Sequence, residues 1–278
     1  MKKTVFIVGL GLIGGSLARA LTTKTEHRVI GMDRNPEVEQ KALAAGAVHE
    51  IGTEEDIGRA DLLFVCLYPQ AVLDFVARNA ARIPKRCIVT DVCGIKGTLC
   101  GELAALAREW GFVFLGSHPM AGKEKAGFDA SDDDLFLGAS YLIVPCGAPA
   151  WAVDAVSDLA LSLGCAGVRL TTPEEHDAMI AFTSQLPHAL ACAYVLSPRC
   201  PGHAGFSAGS YRDVSRVARI NETLWSELFL DNRGPLLEEI HTLIANLDRI
   251  SAALEARDRD ALAALLRQGR EIKEALGE

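Results

Sequence analysis

The run Gly9-Leu10-Gly11-Leu12-Ile13-Gly14 constrains the fold of this chain more than any other feature. It follows a short apolar run, Thr4–Val8, and precedes an amphipathic stretch at Ser16–Thr22. Glycines at this spacing have separate tasks. Gly9 permits a tight turn, Gly11 lets a pyrophosphate approach the backbone, and Gly14 lets a helix pack closely on a strand. Leu12 and Ile13 then lie at a helix start, where unsatisfied N–H groups and a partial positive charge attract phosphate. Asp33 ends the next apolar run, Arg28–Met32, 24 residues after Gly9. A carboxylate there accepts hydrogen bonds from ribose hydroxyls and repels a 2′-phosphate, which favours NAD over NADP; Arg34 beside it is the group that would take a 2′-phosphate. The cofactor-binding set expected from sequence is therefore Gly9, Leu10, Gly11, Leu12, Ile13, Gly14, Asp33 and Arg34. Leu67 and Asp91, at the ends of the next two apolar runs, complete it.

Short apolar runs continue at Leu62–Leu67, Cys87–Val92, Phe112–Ser117, Tyr141–Val144 and Gly167–Leu170. Between them lie helical patterns at Ala71–Ala81, Gly97–Trp110 and Trp151–Leu163. Strand and helix in alternation predict an α/β, doubly wound, mostly parallel sheet covered on both faces. The character changes at Thr171-Thr172-Pro173-Glu174-Glu175, which reads as a helix cap, a proline in the first turn and two acids. Beyond it no strand-like run appears, and Leu243, Leu247, Ile250 and Leu254 recur at helical spacing. Two domains are expected: a Rossmann-type nucleotide-binding domain over 1–172 and an all-helical domain over 173–278. Apolar helical stripes must be covered, so the second domain is expected to pack on the first or to pair two subunits.

In a doubly wound sheet, ligands bind outside the carboxyl ends of the strands. Two segments qualify, Thr90–Gly97 and Gly116–Glu124. His118 in the second is expected to project from a strand end toward the cofactor, which suits an acid/base role for an imidazole. At these residues the sequence resembles the prephenate/arogenate dehydrogenases. The resemblance rests on Val8–Ser16, Thr90–Gly97, the His118-Pro119-Met120-Ala121-Gly122-Lys123-Glu124 stretch through Gly127, Gln185-Leu186-Pro187-His188, Tyr211–Ala218, Trp225 and Phe229–Arg233. It covers nearly the whole chain, with no appended chorismate mutase or regulatory domain expected.

The resemblance implies oxidative decarboxylation of prephenate to 4-hydroxyphenylpyruvate with NAD, in tyrosine biosynthesis. Arogenate, giving tyrosine, is the other substrate it allows. It implies His118 as the base, with Arg216, His188, Arg212, Ser117 and Glu124 toward the substrate, and a homodimer formed by the helical half. Arg212 precedes Arg216 by four residues and would share its face in a continuous helix. Where the family often has serine, this chain has Gly94; where it often has histidine, Gln185. Either water, Ser117 or a backbone group is left to orient His118, or the orienting role is dispensable in this chain. A 3-hydroxyacid-type dehydrogenase would be expected to carry a lysine acid/base in the helical half, where only Lys273 occurs. A dinucleotide-sensing protein without turnover would not require His118 and Arg216 together.

Composition narrows the field further. The net charge is −8, so broad phosphate-backbone binding to nucleic acid is not expected. No apolar run is long enough to span a membrane, and the N-terminal one stops at Gly9. The eight cysteines form no C-x-x-C pair, which argues against a zinc ribbon, and no metal site is expected. Ser131-Asp132-Asp133-Asp134 reads as a solvated loop. A reducing cytoplasm is the expected compartment, with Cys93 the thiol nearest the proposed site.

Overall fold

The computed structural model describes residues 2–123 and 125–277. Strand β1 (Thr4–Val8) has no polar face: Val5 and Ile7 enter one apolar cluster, Phe6 and Val8 another. Such a strand belongs at the centre of a sheet covered on both sides. Around it lie β2 (Arg28–Met32), β3 (Glu50–Ile51), β4 (Leu62–Val65), β5 (Ile88–Asp91), β6 (Val113–Pro119), β7 (Ser140–Val144) and β8 (Gly167–Leu170). Their order is β3-β2-β1-β4-β5-β6-β7-β8, and every neighbouring pair is parallel except β6 with β7. The chain winds outward from β1 to β3, then returns to β4 on the other side of β1. That reversal opens a crevice at the carboxyl ends of β1 and β4.

Helices α1 (Leu12–Lys24), α2 (Pro36–Ala44) and α5 (Ala150–Ser162) close one face, through residues such as Leu17, Leu21, Ala42 and Val156. Helices α3 (Pro69–Asn79) and α4 (Gly97–Trp110) close the other, through Val72, Val76, Leu99 and Leu103. The expected mostly parallel α/β sheet is present. Two elements escaped the sequence reading. Strand β3 is two residues long, too short to show alternation, and is fastened at the sheet edge by Arg28 and Arg59 on Glu50. Helix α2 has one fully buried residue, Ala42, so it shows little apolar periodicity.

The helical half comprises α6 (Pro173–Ile180), α7 (Leu186–Val195), α8 (Gly209–Ser215), α9 (Glu222–Asp231), α10 (Arg233–Glu255) and α11 (Arg259–Ala275). The Thr172 hydroxyl accepts the Glu175 N–H at 3.2 Å, and Pro173 sits in the first turn. Between α6 and α7, Ala181–Gln185 widens into a π-helical turn. Asp177 on α6 fastens this half to the sheet half. Its Oδ1 accepts the Lys96 N–H at 2.8 Å and its Oδ2 the Gly97 N–H at 2.7 Å. It thereby caps α4, whose own preceding residue provides no side-chain cap. Farther out, Leu247 and Leu254 of α10 remain more than half exposed.

Candidate active site

The glycine loop has the shape that its sequence requires. Gly9 has a φ of +87°, and a Cβ there would meet the Cys66 carbonyl oxygen at 2.4 Å. A Cβ on Gly14 would come within 1.9 Å of the Gly9 oxygen. Gly11 differs: no protein atom lies within 4 Å of the space its Cβ would take. Packing does not demand glycine there, whereas a phosphate approaching the backbone does. Helix α1 has neither a capping side chain nor an acid in its first turn, so the N–H groups of Leu12 and Ile13 are left to an anion. The residues present therefore fit a dinucleotide.

Gly11, Leu12, Ile13 and Gly14 border a cavity of about 640 Å³. Leu67 forms part of its wall, as do Gly94, His118 and Gln185, with His188, Arg216 and Trp225 on the helical side. Asp33 sits beside the loop, outside that wall. Its Oδ2 accepts the Leu10 N–H at 2.8 Å and its Oδ1 the Asn35 N–H at 2.9 Å. Arg34 is exposed next to it. Leu10 itself is a core residue; its side chain is fully buried and only its backbone touches Asp33.

Three more expectations need correction. Asp91 is fully buried and does not reach the cavity. Its Oδ2 receives the Lys96 ammonium at 2.6 Å and the Cys93 N–H at 2.8 Å, and its Oδ1 receives the Ser117 N–H at 3.2 Å. Burial opposes the charge on Lys96, but the Asp91 carboxylate prevails and holds the amine above its ordinary value. Carbonyls of Cys93 and Ile95 take the remaining ammonium protons. This ion pair knots the β5–α4 turn. Ser117 points away from the cavity because side chains alternate along β6. It is fully buried, donates to the Asp91 carbonyl at 2.6 Å and lies 2.8 Å from the Tyr141 hydroxyl. Arg212 is exposed and off the cavity wall. The helical spacing to Arg216 holds, since the Arg216 N–H still bonds the Arg212 carbonyl, yet only Arg216 borders the cavity.

His118 sits near the end of β6. Burial, the Lys96 charge and His176 together push its imidazole well below the ordinary histidine value, so it is neutral at pH 7. Its hydrogen-bond partner is His176, absent from the sequence-based set. Nδ1 of His118 lies 3.0 Å from Nε2 of His176, and Nδ1 of His176 lies 2.7 Å from Asp177 Oδ1. Gly94 opposes the ring: a Cβ there would stand 3.8 Å from His118 Cε1.

His188 lies at the start of α7, Nδ1 donating to the Ser184 carbonyl at 2.8 Å. Its ring stacks on Trp225 with centroids 3.8 Å apart. Gln185 is nearly buried and braces the wall: it donates to the Leu228 carbonyl at 3.1 Å and accepts from Asn232 at 2.7 Å. Glu124 lies outside the described residues. Cys93 is a packing thiol, pushed well above its ordinary value by burial and then by Asp91. Asp132 and Asp134 of the acidic loop pair with Lys123 and Lys24. Among the described residues no cluster could hold a metal ion, and no helix is long and apolar enough to cross a membrane.

Residues 17–168 match the family described as "Prephenate dehydrogenase, nucleotide-binding domain". Residues 172–268 match "Prephenate dehydrogenase, dimerization domain". A cyclohexadienyl dehydrogenase of Zymomonas mobilis is 29% identical over 99% of this chain and 96% of its own length. The prephenate dehydrogenase of Bacillus subtilis is 28% identical over 99% of this chain and 76% of its own. Among solved structures, prephenate dehydrogenase from A. aeolicus in complex with hydroxyphenyl propionate and NAD+ superposes with a TM-score of 0.88. It has 25% identity and covers 99% of both chains. Synechocystis arogenate dehydrogenase gives a TM-score of 0.83, 26% identity, and coverage of 98% of this chain and 99% of its own.

Proposed function

The chain belongs to the prephenate dehydrogenase family, and from that premise we propose that it oxidises prephenate with NAD to 4-hydroxyphenylpyruvate, CO₂ and NADH. The observation that carries this reading is the shared cavity. A neutral histidine from the sheet half and a guanidinium from the helical half border the same space as the glycine loop. A dinucleotide sensor has no use for that pairing, and the family assignment does not favour it.

The residues divide the chemistry between them. NAD, when bound, supplies the hydride acceptor. The N–H groups of Leu12 and Ile13 would hold its pyrophosphate, and the Asp33 carboxylate would repel a 2′-phosphate. His118 takes the proton of the substrate 4-hydroxyl as hydride leaves C4. The ring carboxylate departs as CO₂ and the ring becomes aromatic, which makes the step irreversible. Arg216 binds a substrate carboxylate, a group its planar fork matches. His188, stacked on Trp225, borders the cavity on the substrate side. Trp225 and Leu228 exclude water from the apolar ring.

We take residues 1–172 as the cofactor domain and 173–278 as the substrate and dimer domain. The exposed face of α10 supports a homodimer, as does the match to a dimerization domain. We place the enzyme in a reducing cytoplasm, on the strength of eight cysteines that are all free thiols. The test is product analysis with prephenate and arogenate, each with NAD and with NADP. Prephenate with NAD should give equimolar NADH and 4-hydroxyphenylpyruvate. Turnover of arogenate alone would reassign the substrate, and turnover of neither would overturn the proposal.

A further inference from the structure

His118 is a useful base only in one tautomer. A neutral imidazole carries its proton on Nδ1 or on Nε2, and only the bare nitrogen accepts. The hydroxyl of Ser117 faces away from the ring, and Gly94 has no side chain to offer. We propose that Asp177 and His176 are positioning residues that fix His118 as the Nδ1–H tautomer, leaving Nε2 as the proton acceptor on the cavity side. This rests on the reading of His118 as the base.

The assignment runs outward from Asp177. Both of its oxygens accept backbone N–H groups, Lys96 on Oδ1 and Gly97 on Oδ2. Those contacts fix the carboxylate rigidly at the start of α4. A carboxylate accepts, so the Nδ1 of His176, 2.7 Å from Oδ1, is the donor. A neutral His176 with its proton on Nδ1 has a bare Nε2. That nitrogen therefore accepts, and the donor is Nδ1–H of His118, 3.0 Å away. His176 is 1% exposed, so no water competes for the contact. With Nδ1 turned to a buried partner, the wall that His118 contributes to the cavity is its Cε1–Nε2 edge.

The alternative is an imidazolium shared by the two rings. Asp177 favours charge on His176, but burial and the surrounding cations oppose it and prevail. Lys96 is a fully buried cation beside both histidines, and Asp91, the nearest further anion, is already paired with it. Lys123, Lys125, Arg216 and Arg219 border the cavity on its other sides. Burial and Lys96 hold both imidazoles below their ordinary value.

The device also joins the two halves. His118 stands on β6, whereas His176 and Asp177 stand on α6. The correct tautomer is enforced only when α6 is docked on the start of α4. An acid that holds an imidazole in its working tautomer is a familiar arrangement in hydrolases, where it is worth several orders of magnitude in rate. Here a second imidazole stands between acid and base.

The test combines nitrogen-15 NMR of labelled histidine with kinetics of the full chain. In the wild type, the His118 resonance should show a protonated Nδ1 and a bare Nε2. His176→Leu should release the ring to the Nε2–H form and lower kcat about 100-fold. NAD affinity and the KM for prephenate should stay within about twofold, because neither site touches His176. His176→Gln, whose side-chain oxygen again accepts the Nδ1–H, should recover about tenfold of that loss. If His176→Leu fails to fold, the wild-type spectrum and His176→Gln decide the matter. A wild-type His118 protonated on Nε2, or wild-type kcat in His176→Leu, would overturn the proposal. The spectrum needs no turnover, so an enzyme inactive on prephenate would sink the functional reading and leave this one separately measured.

Discussion

The two halves of the molecule treat their apolar residues in opposite ways. In the sheet half, Phe6, Ile7, Ile30, Leu63 and Phe64 are all 0–1% exposed, sealed between helices on both faces. In the helical half, Leu230, Leu247, Leu254 and Ile272 are each more than half exposed. The first half completes its own core; the second leaves apolar residues of its long helices exposed. The difference extends to function. The sheet half holds a rigid glycine loop and the histidine, whereas the helical half brings the arginine and the residues that aim the histidine. On the proposed reading, chemistry is placed on the stiff half and recognition on the half that matches a dimerization domain.

Substitutions on the two sides of the cavity should break differently. His118→Asn, on the sheet half, should lower kcat by roughly 10²–10⁴-fold with NAD binding kept, as expected for the loss of a general base. Steady-state kinetics with prephenate checks this; an active variant would remove the base. Arg216→Ala, on the helical half, should raise KM by about 10- to 100-fold, the worth of one charged hydrogen bond, with a smaller effect on kcat. A matched pair of leucines sharpens the structural contrast. Leu63→Ala should cost about 2–5 kcal/mol at any protein concentration. Leu247→Ala should lower the melting temperature only through weaker self-association, so its deficit should shrink as protein concentration rises. Equal, concentration-independent losses would erase the distinction drawn here.

The smallest effect concerns pH. His118 and His176 are both held below the ordinary histidine value, first by burial. The unfolded chain takes up protons near pH 6.5, where the folded chain still resists them. Stability should therefore be full above about pH 6.5 and fall as pH drops below it. Denaturant titrations at pH 7.5 and 5.5 would show this, and His176→Gln should flatten the difference. Activity should follow the same sense, level above pH 6.5 and declining in acid.

The sheet half was nearly legible in its sequence, because buried parallel strands are continuous apolar runs. Thr4–Val8, Arg28–Met32 and Gly167–Leu170 coincide with observed strands, and Gly97–Trp110 with a helix. The glycine loop and His118 were legible for the same reason: each follows directly on such a run. What could not be read was pairing across long separations. His176 lies 58 residues from His118, and Asp177 lies 80 from Gly97. One signal was present in α6. His176 and Ile180 are four apart and share the buried face, so a histidine stood where an apolar residue was expected. Arg212 shares a helical turn with Arg216, whose N–H bonds its carbonyl, but it lies off the cavity wall, and helical spacing alone does not say where a cavity ends. Ser117 and Asp91 misled because residues next to a site in sequence alternate in direction along a strand.

Calorimetric titration of Arg216→Ala tests the division of labour most directly, with NAD first and 4-hydroxyphenylpyruvate second. If the sheet half holds the cofactor and the helical half the substrate, the NAD dissociation constant stays within about twofold of wild type. Product binding to the NAD complex then weakens by at least about tenfold. An Arg216→Ala protein that loses NAD and keeps the product would contradict the account.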